Sequence, residues 1–164
     1  MEDVPALSVM AKKTFYDTFT GTCTEDDMQH FLKKYYEEPI LAEELNSGIE
    51  YYFAEVDGIP AGYISFKDET PDFPEIKGSS ALELKRLYVL ESFHGKGTAH
   101  VMMEFFMDHA VSQGYDVVFL GVWEYNFRAQ KFYAKYGFKT SEHKHDFPIG
   151  DTPQTDIYLI KFLS

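Results

Sequence analysis

The segment His94-Gly95-Lys96-Gly97-Thr98-Ala99 combines small residues with the start of a predicted helix, a combination suited to binding phosphate. Glycine lets the backbone approach a ligand closely, and the free N–H groups of a helix start favour an anion. The segment is not a Walker A loop, because Gly97 stands where Ser or Thr is required. It is not G-x-G-x-x-G either, because His100 occupies the last glycine position. An ordinary tight strand-to-helix turn would have the same composition, so both interpretations stay open.

A second segment with potential chemistry follows a continuous apolar run. Val117–Val122 is typical of a strand buried on both faces, and Asn126 is a good cap for the next helix. One face of that helix is apolar and carries Ala129, Phe132, Tyr133 and Tyr136. From the residues alone, Tyr133 is best interpreted as a core aromatic.

The elements before these segments begin with helices. Apolar residues from Val4 to Phe19 lie on one helix face, and Thr24 precedes a second helix with three acidic residues in its first turn. We expect Pro39 to end the second helix and a short third helix to run to about Leu45. The strands Tyr51–Val56 and Ile59–Phe66 flank Asp57-Gly58, a strong hairpin signal.

The strand Ala81–Leu90 has an irregular apolar pattern. Leu82 and Leu84 share one phase, whereas Leu87 and Val89 are one residue out of step, which predicts a β-bulge near Lys85-Arg86. A helix from about Gly97 to Gly114 is expected to bury Val101, Met102, Phe105 and Phe106, and two final strands are expected over Phe138–Phe147 and Asp156–Phe162. Asp68–Ser80 is interpreted as an exposed loop. This order predicts a mixed α/β sheet with helices on both faces, in one domain over residues 1–164.

Composition excludes several classes of protein. The 164 residues carry a net charge of −12, which argues against nucleic-acid binding. The one cysteine, Cys23, rules out an internal disulfide. Among the isolated histidines only His143-x-His145 has metal-ligand spacing, and it is interpreted as the polar surface of an exposed hairpin, so we expect no metal. No apolar run reaches the roughly 20 residues that cross a bilayer, and the N-terminus does not have the pattern of a signal peptide. We therefore expect a cytoplasmic protein without a membrane partner.

Together, these motifs resemble the Gcn5-related N-acetyltransferase (GNAT) family. The family's pyrophosphate loop, Gln/Arg-x-x-Gly-x-Gly/Ala, is matched at Gly97 and Ala99, with His94 in place of Gln or Arg. The segment from Phe119 to Phe138 is similar to the family's second signature. Within the family, Leu-Gly-Val-Trp-Glu (120–124) and Gly-Asp-x-x-Gln-Thr-Asp (150–156) look like the PaiA-type polyamine acetyltransferases.

The resemblance implies a GNAT-type mixed, mostly antiparallel sheet with a bulged central strand at about 81–90. It implies acetyl-CoA as the cosubstrate. Members usually open with a strand before the first helix, and Val4 already lies where that strand would have ended, so we expect the first strand to be missing. A reading frame that extends before Met1 and encodes a strand would support this hypothesis. The cofactor-binding residues implied are Leu87, Tyr88, Val89, His94, Gly95, Lys96, Gly97, Thr98, Ala99, His100, Asn126 and Lys131.

The resemblance also assigns catalytic roles. Tyr133 would be the acid that protonates the thiolate, and Glu83 the base that acts on the acceptor amine through water, with Glu55 and Glu124 as alternatives. The displaced N–H groups of the bulge would polarise the thioester carbonyl. For Glu83 the competing interpretation is a surface carboxylate.

The charge distribution indicates the acceptor. Residues 81–140 carry a net charge of +1 and the remainder −13, so the remainder would attract a small cationic amine such as spermidine or spermine. The expected acceptor-binding residues are Glu25, Asp26, Asp27 and Glu124. Two alternatives remain, a protein Lys or N-terminal acetyltransferase and a non-catalytic acyl-CoA-binding module. A homodimer is a further hypothesis, from the aromatic residues of the last hairpin.

Overall fold

A computed structural model describes residues 2–163 as a six-stranded sheet with the strand order β1-β2-β3-β4-β6-β5. All neighbouring strands are antiparallel except β3 and β4, which are parallel. The strands are β1 (Glu50–Val56), β2 (Ile59–Asp68), β3 (Ala81–Val89), β4 (Val117–Trp123), β5 (Lys139–Asp146) and β6 (Thr155–Phe162). The expected mixed, mostly antiparallel α/β sheet is confirmed.

Helices cover both faces of the sheet, as predicted. They are α1 (Val4–Phe19), α2 (Glu25–Tyr36), α3 (Glu38–Asn46), α4 (Thr98–Ser112) and α5 (Phe127–Lys135). Side chains of α1, α2 and α3 form one core cluster, which contains Phe15, Met28 and Leu41. Side chains of α4 and α5 form a second cluster on the opposite face, which contains Phe106 and Tyr133. None of the described helices is both long and apolar enough to cross a membrane.

Two predicted helix caps are present. The Thr24 hydroxyl accepts a hydrogen bond from the Asp27 N–H at 3.2 Å, and the Asn126 amide oxygen accepts one from the Ala129 N–H at 3.1 Å. The position of Pro39 differs from the prediction, because α2 already ends at Tyr36 and Pro39 lies in the first turn of α3. Proline is well accommodated there, since the first helical turn needs no N–H from it.

Two burial predictions were wrong. Val101 and Phe105 of α4 are 64% and 41% exposed, whereas Met102 and Phe106 are buried. The sheet covers only one side of α4, so the outer apolar residues stay at the surface. The segment between β2 and β3 also contains a 3₁₀ turn at Pro74–Ile76, and the Ile76 side chain is fully buried. That segment is therefore not a simple exposed loop.

The predicted bulge is present in β3. Ser65 pairs with Arg86 and Phe66 pairs with Leu84, which leaves Lys85 as the extra residue. Beyond the bulge, Leu87 and Val89 face the α4 side, whereas Arg86 and Tyr88 face the α1–α3 side. The bulge thus keeps the apolar side chains of Leu87 and Val89 on the sheet face that packs against α4.

Strands β3 and β4 pair over only part of their length. The parallel ladder joins residues 81–84 to residues 117–120, and no pairing continues to the ends of the strands at Val89 and Trp123. The two strands therefore diverge immediately after the bulge. The far edge of the sheet is β1, and residues 2–163 contain no strand before α1, in agreement with the expected fold.

Candidate active site

A cleft of about 1150 Å³ opens where β3 and β4 diverge. One wall consists of the loop before α4, the first turn of α4 and the inner face of α5. The opposite wall consists of aromatic and acidic side chains from α1, α2, β4 and β6. The floor is the bulged half of β3, from Leu84 to Val89. The cleft can thus hold two molecules that enter from different sides of the sheet.

The loop before α4 is built to approach an anion. Gly95 and Gly97 have φ values of 76° and 83°, which glycine adopts without strain. Thr98 follows as the first residue of α4, and its hydroxyl is buried without a hydrogen-bond partner among the described residues. The first N–H groups of an α-helix also have no helical acceptor. These free donors fit the pyrophosphate of coenzyme A.

Eleven of the twelve expected cofactor residues line the cleft. The exception is Lys96, whose ammonium lies 4.9 Å from the centre of the Phe93 ring. His94 Nε2 lies 2.8 Å from the carbonyl oxygen of Val89, so the imidazole ties the loop to β3. Sequence analysis missed Arg128 and Lys135 of α5, which also line the cleft. Arg128 lies two residues after Asn126 and Lys135 lies four residues after Lys131, and this spacing was the available signal.

The bulged half of β3 supplies backbone donors to the cleft. Leu87, Tyr88 and Val89 pair with β2 on one edge and have no strand partner on the other. Peptide groups that face the gap are therefore free to bind a ligand. When bound, acetyl-CoA supplies an activated acetyl group as a thioester, and these groups could hold its pantetheine arm and carbonyl oxygen.

Tyr133 belongs to both the core and the cleft. It packs against Phe132 and Phe138, is 8% exposed, and contributes to the lining of the cleft. Burial raises the pKa of the Tyr133 phenol well above its usual value, so the hydroxyl keeps its proton. The side chain can therefore donate a proton within the cleft.

The expected base, Glu83, lies outside the cleft lining. It precedes the bulge on β3, and its carboxylate is 3.8 Å from Lys67 Nζ and 3.7 Å from Lys85 Nζ. Those ammonium groups compete with any amine for its oxygens. The alternatives Glu55 and Glu124 also lie outside the lining.

The expected acceptor residues of α2 are not brought into the cleft. Glu25 accepts hydrogen bonds from Tyr16 and Gln29, and Asp27 lies against Gly150. Neither these residues nor Asp26 line the cavity. The acidic residues that do line it are Asp17, Glu91 and Asp156.

The acceptor wall is mainly aromatic. Phe15 stacks on Phe31 with ring centres 4.6 Å apart, and Phe19 lies 5.1 Å from Trp123. The buried guanidinium of Arg86 also reaches this wall, where it donates to both carboxylate oxygens of Glu44, at 2.7 and 3.1 Å. Burial disfavours the Glu44 carboxylate, but the Arg86 bonds outweigh burial and lower its pKa. The pair therefore adds little net charge to the wall.

Asp156 is the residue that sequence analysis overlooked. It lies on β6 opposite Trp123, lines the cleft, and receives no hydrogen bond or ion pair from residues 2–163. Burial raises its pKa to about 7, with no cation to oppose the effect. The motif that ends at Asp156 was noticed in the sequence only as a family resemblance. No three His, Cys, Asp or Glu side chains among the described residues are placed to hold a metal ion.

Comparison with known proteins supports an acetyltransferase site. Residues 12–138 match the model of the acetyltransferase (GNAT) family. The chain is 35% identical over 163 residues to an uncharacterized N-acetyltransferase in the pepI 3′ region of Lactobacillus delbrueckii subsp. lactis. That match covers 99% of this chain and 93% of the relative.

Solved structures share the fold at low sequence identity. PaiA N-acetyltransferase from Thermoplasma acidophilum, in complex with coenzyme A, superposes with a TM-score of 0.76 at 20% identity and covers 98% and 93% of the two chains. The ribosomal-protein-alanine N-acetyltransferase from Brucella melitensis superposes with a TM-score of 0.65, also at 20% identity, and covers 99% and 95%. At this level of identity, the two superpositions show that the fold is shared.

Proposed function

The chain belongs to the GNAT family and is an acetyl-CoA-dependent N-acetyltransferase, and we propose that its acceptor is a polyamine such as spermidine or spermine. The acetyl group passes directly to a primary amine, without an acyl-enzyme. The observation that supports this acceptor is the separation of charge within the cleft. Basic residues of α5 line the cofactor wall, whereas Asp17 and Asp156 line the opposite wall and Glu91 lies at the start of the loop before α4.

The carboxylates extend from the interior to the mouth of the cleft. Asp156 is half-buried, whereas Asp17 and Glu91 are exposed at the opening. Asp17 is held by Lys13 at 2.8 Å, but a pair this exposed contributes little and is easily exchanged. A linear polycation can place one amine inside and the others near the mouth.

The aromatic wall suits the same ligand. Phe15, Phe19 and Trp123 provide apolar contact for the methylene groups of a polyamine, and aromatic faces attract its ammonium groups. Arg86 does not repel such a ligand, because its charge is offset by Glu44. A neutral amino acid has no second ammonium group to bind the carboxylates at the mouth.

In this function, Tyr133 donates its proton to the departing thiolate, and backbone N–H groups of Leu87 to Val89 hold the thioester carbonyl. The loop of Gly95, Gly97 and Thr98 binds the pyrophosphate, with basic side chains of α5 near the cofactor. These residue roles are part of the proposal.

The test is thiol release from acetyl-CoA with polyamines, diamines, neutral amino acids and basic peptides, together with mass spectrometry of the products. Spermidine or spermine should give the highest kcat/KM. A double variant, Asp17→Asn with Glu91→Gln, should raise the spermidine KM several-fold and leave the acetyl-CoA KM unchanged. Asp108→Asn, an exposed change on α4, is the matched control. A higher kcat/KM for neutral amino acids or peptides would refute the polyamine proposal.

A further inference from the structure

The carboxylate of Asp156 is placed differently from every other acidic group in the cleft. Its side chain is half-buried, receives no hydrogen bond from the described chain, and lines the cavity from β6. A carboxylate that is desolvated without a partner costs free energy, so it does not stabilise the fold. Its surroundings instead leave both oxygens available to a ligand.

The backbone of β4 makes room for this carboxylate. Gly121 lies beside Asp156, and a Cβ atom at position 121 would be 3.2 Å from Oδ2 of Asp156. A side chain at that position would crowd the carboxylate, which would have to shift by a few tenths of an ångström. Glycine at position 121 thus leaves open the space in which the Asp156 side chain lies, on the sheet face that carries Arg86, Tyr88 and Trp123.

We propose that Asp156 is the catalytic base, the group that takes a proton from the acceptor ammonium before acetyl transfer. The inference rests on the proposed function, because it assigns the base for the same amine. It replaces Glu83 in that role, since Glu83 lies outside the cleft and beside two lysines.

The proton balance of the reaction is complete with these residues. One ammonium proton passes to Asp156 and then to water. A bond forms between the amine nitrogen and the acetyl carbon, and the bond between that carbon and sulfur breaks. The thiolate takes a proton from Tyr133, and the second proton lost by nitrogen restores the phenol.

Acidity favours Asp156 over an ordinary carboxylate. Its pKa of about 7 lies closer to that of a Lys-like ammonium, about 10.4, than the usual aspartate value of about 3.9 does. Proton transfer is therefore less unfavourable by several powers of ten. When the amine leaves water and enters the cleft, the pKa of its ammonium falls, so the difference between the two pKa values becomes smaller.

Other ionisable groups surround Asp156, and their titration must be distinguished from that of Asp156. Burial raises the pKa of the three nearby tyrosines, which remain neutral at moderate pH, and Arg86 is neutralised by Glu44. Asp17 lines the same cleft from α1, and His145 is the cross-strand neighbour on β5. The tyrosines are Tyr36 of α2, Tyr88 of β3 and Tyr158 of β6.

The decisive experiment is the pH profile of kcat/KM for the best acceptor amine with saturating acetyl-CoA. In the wild type it should rise through about pH 7 and then stay level until the amine loses its own proton. In Asp156→Asn, only the neutral amine can react, so the rate should keep rising toward pH 10. The loss should be about 100-fold at pH 8, where under 1% of an amine of pKa 10.4 is neutral, and should shrink at higher pH.

Matched variants identify the titrating group. Asp156→Glu should recover part of the rate at pH 8, whereas His145→Gln and Asp146→Asn, changes on the adjacent strand β5, should keep the wild-type profile. An unchanged profile shape in Asp156→Asn, with only KM raised, would reduce Asp156 to an amine-binding residue. If the rise of kcat/KM around pH 7 is lost in Glu83→Gln and kept in Asp156→Asn, the catalytic base is Glu83.

A second readout does not depend on turnover. The carboxyl carbon of Asp156, assigned by comparison with Asp156→Asn in the NMR spectrum of the cofactor-free protein, should titrate near pH 7. A titration near pH 4 would overturn the proposal whatever the acceptor is. If Asp156 titrates near pH 7 but spermidine is not acetylated, the proposed acceptor is wrong. The role of Asp156 as the base is then tested by the same pH profile with the amine that the enzyme does acetylate.

Discussion

At the scale of the residue, Tyr133 is at once a core aromatic and a wall of the cleft. These two roles are compatible, because burial of the ring raises the pKa of the phenol and keeps it protonated. A proton donor to a thiolate must hold its proton until negative charge develops on sulfur. Burial also makes the phenol a weaker acid, so proton transfer to the thiolate requires the hydroxyl to lie close to the sulfur.

Tyr133→Phe should separate the two roles. The ring and its packing remain, so the melting temperature and coenzyme A affinity should change little, while kcat falls about 100-fold. Pre-steady-state kinetics should establish that chemistry limits turnover. A kcat within twofold of wild type under that condition would leave Tyr133 with packing alone.

Asp156 leads to a prediction about stability. Its pKa is about 7 in the folded protein and about 3.8 in the unfolded chain, so the folded state binds the proton more tightly. Stability from this group is present below about pH 4 and is lost as pH rises through about 7. Asp156→Asn should therefore stabilise the protein by about 2–4 kcal/mol at pH 8, at 1.4 kcal/mol per unit of pKa.

Urea denaturation at pH 5 and pH 8 checks this expectation, with Asp146→Asn as the control. The gain from Asp156→Asn should be larger at pH 8 than at pH 5. An equal effect at both values would show that the carboxylate is not desolvated in the folded protein.

At the scale of the element, the cleft results from one extra residue in β3. Lys85 shifts the register against β2, and the strand then leaves β4 after residue 84. The loop before α4 lies at the mouth of the resulting gap and presents the helix start to it. A regular ladder to the strand ends would have closed this space.

Gly97→Glu tests the loop. The side chain would project into open space at the helix start and place a negative charge where the pyrophosphate binds. Coenzyme A affinity measured by calorimetry should fall at least 100-fold, with the fold retained.

Gly114→Glu is a matched control for backbone strain. Gly114 follows the other end of α4, has a φ of 77° against 83° for Gly97, and also has open space around it. Both changes should lower stability by a similar amount, about 1–2 kcal/mol. Similar losses of coenzyme A affinity in the two variants would mean that strain, not the anion site, is responsible.

At the scale of the whole molecule, charge is distributed unequally. The net charge of −12 attracts cations over long distances, whereas the cofactor wall of the cleft is locally basic. Long-range attraction is screened by salt, since the Debye length falls from about 10 Å at 0.1 M to about 3 Å at 1 M. The acceptor and the cofactor should therefore respond differently to ionic strength.

The spermidine KM should rise with salt concentration more steeply than the acetyl-CoA KM. Initial rates from 0.05 to 1 M KCl, with the other substrate saturating, provide the measurement. Sodium chloride in place of potassium chloride controls for a specific ion effect. A spermidine KM that is indifferent to salt would mean that the acidic surface serves only solubility.

Local sequence patterns determined most elements. Thr24 and Asn126 mark helix starts because their side-chain oxygens accept hydrogen bonds from the backbone N–H three residues later. Asp57-Gly58 forms a turn because both residues adopt positive φ. The phase slip around Lys85 predicted the bulge, since strand side chains alternate strictly. The phosphate loop could be found because its glycines and its helix lie next to one another in sequence.

Only the tertiary structure decided which acidic residues reach the cleft. Glu83, Glu25 and Asp27 have suitable chemistry, but ion pairs or neighbouring backbone hold them elsewhere. Asp156 enters the site from β6, which pairs with β4 after a long excursion of the chain, beside the space left by Gly121. The acidity of Asp156 depends on the solvent that these distant elements exclude, and no local pattern of residues encodes it.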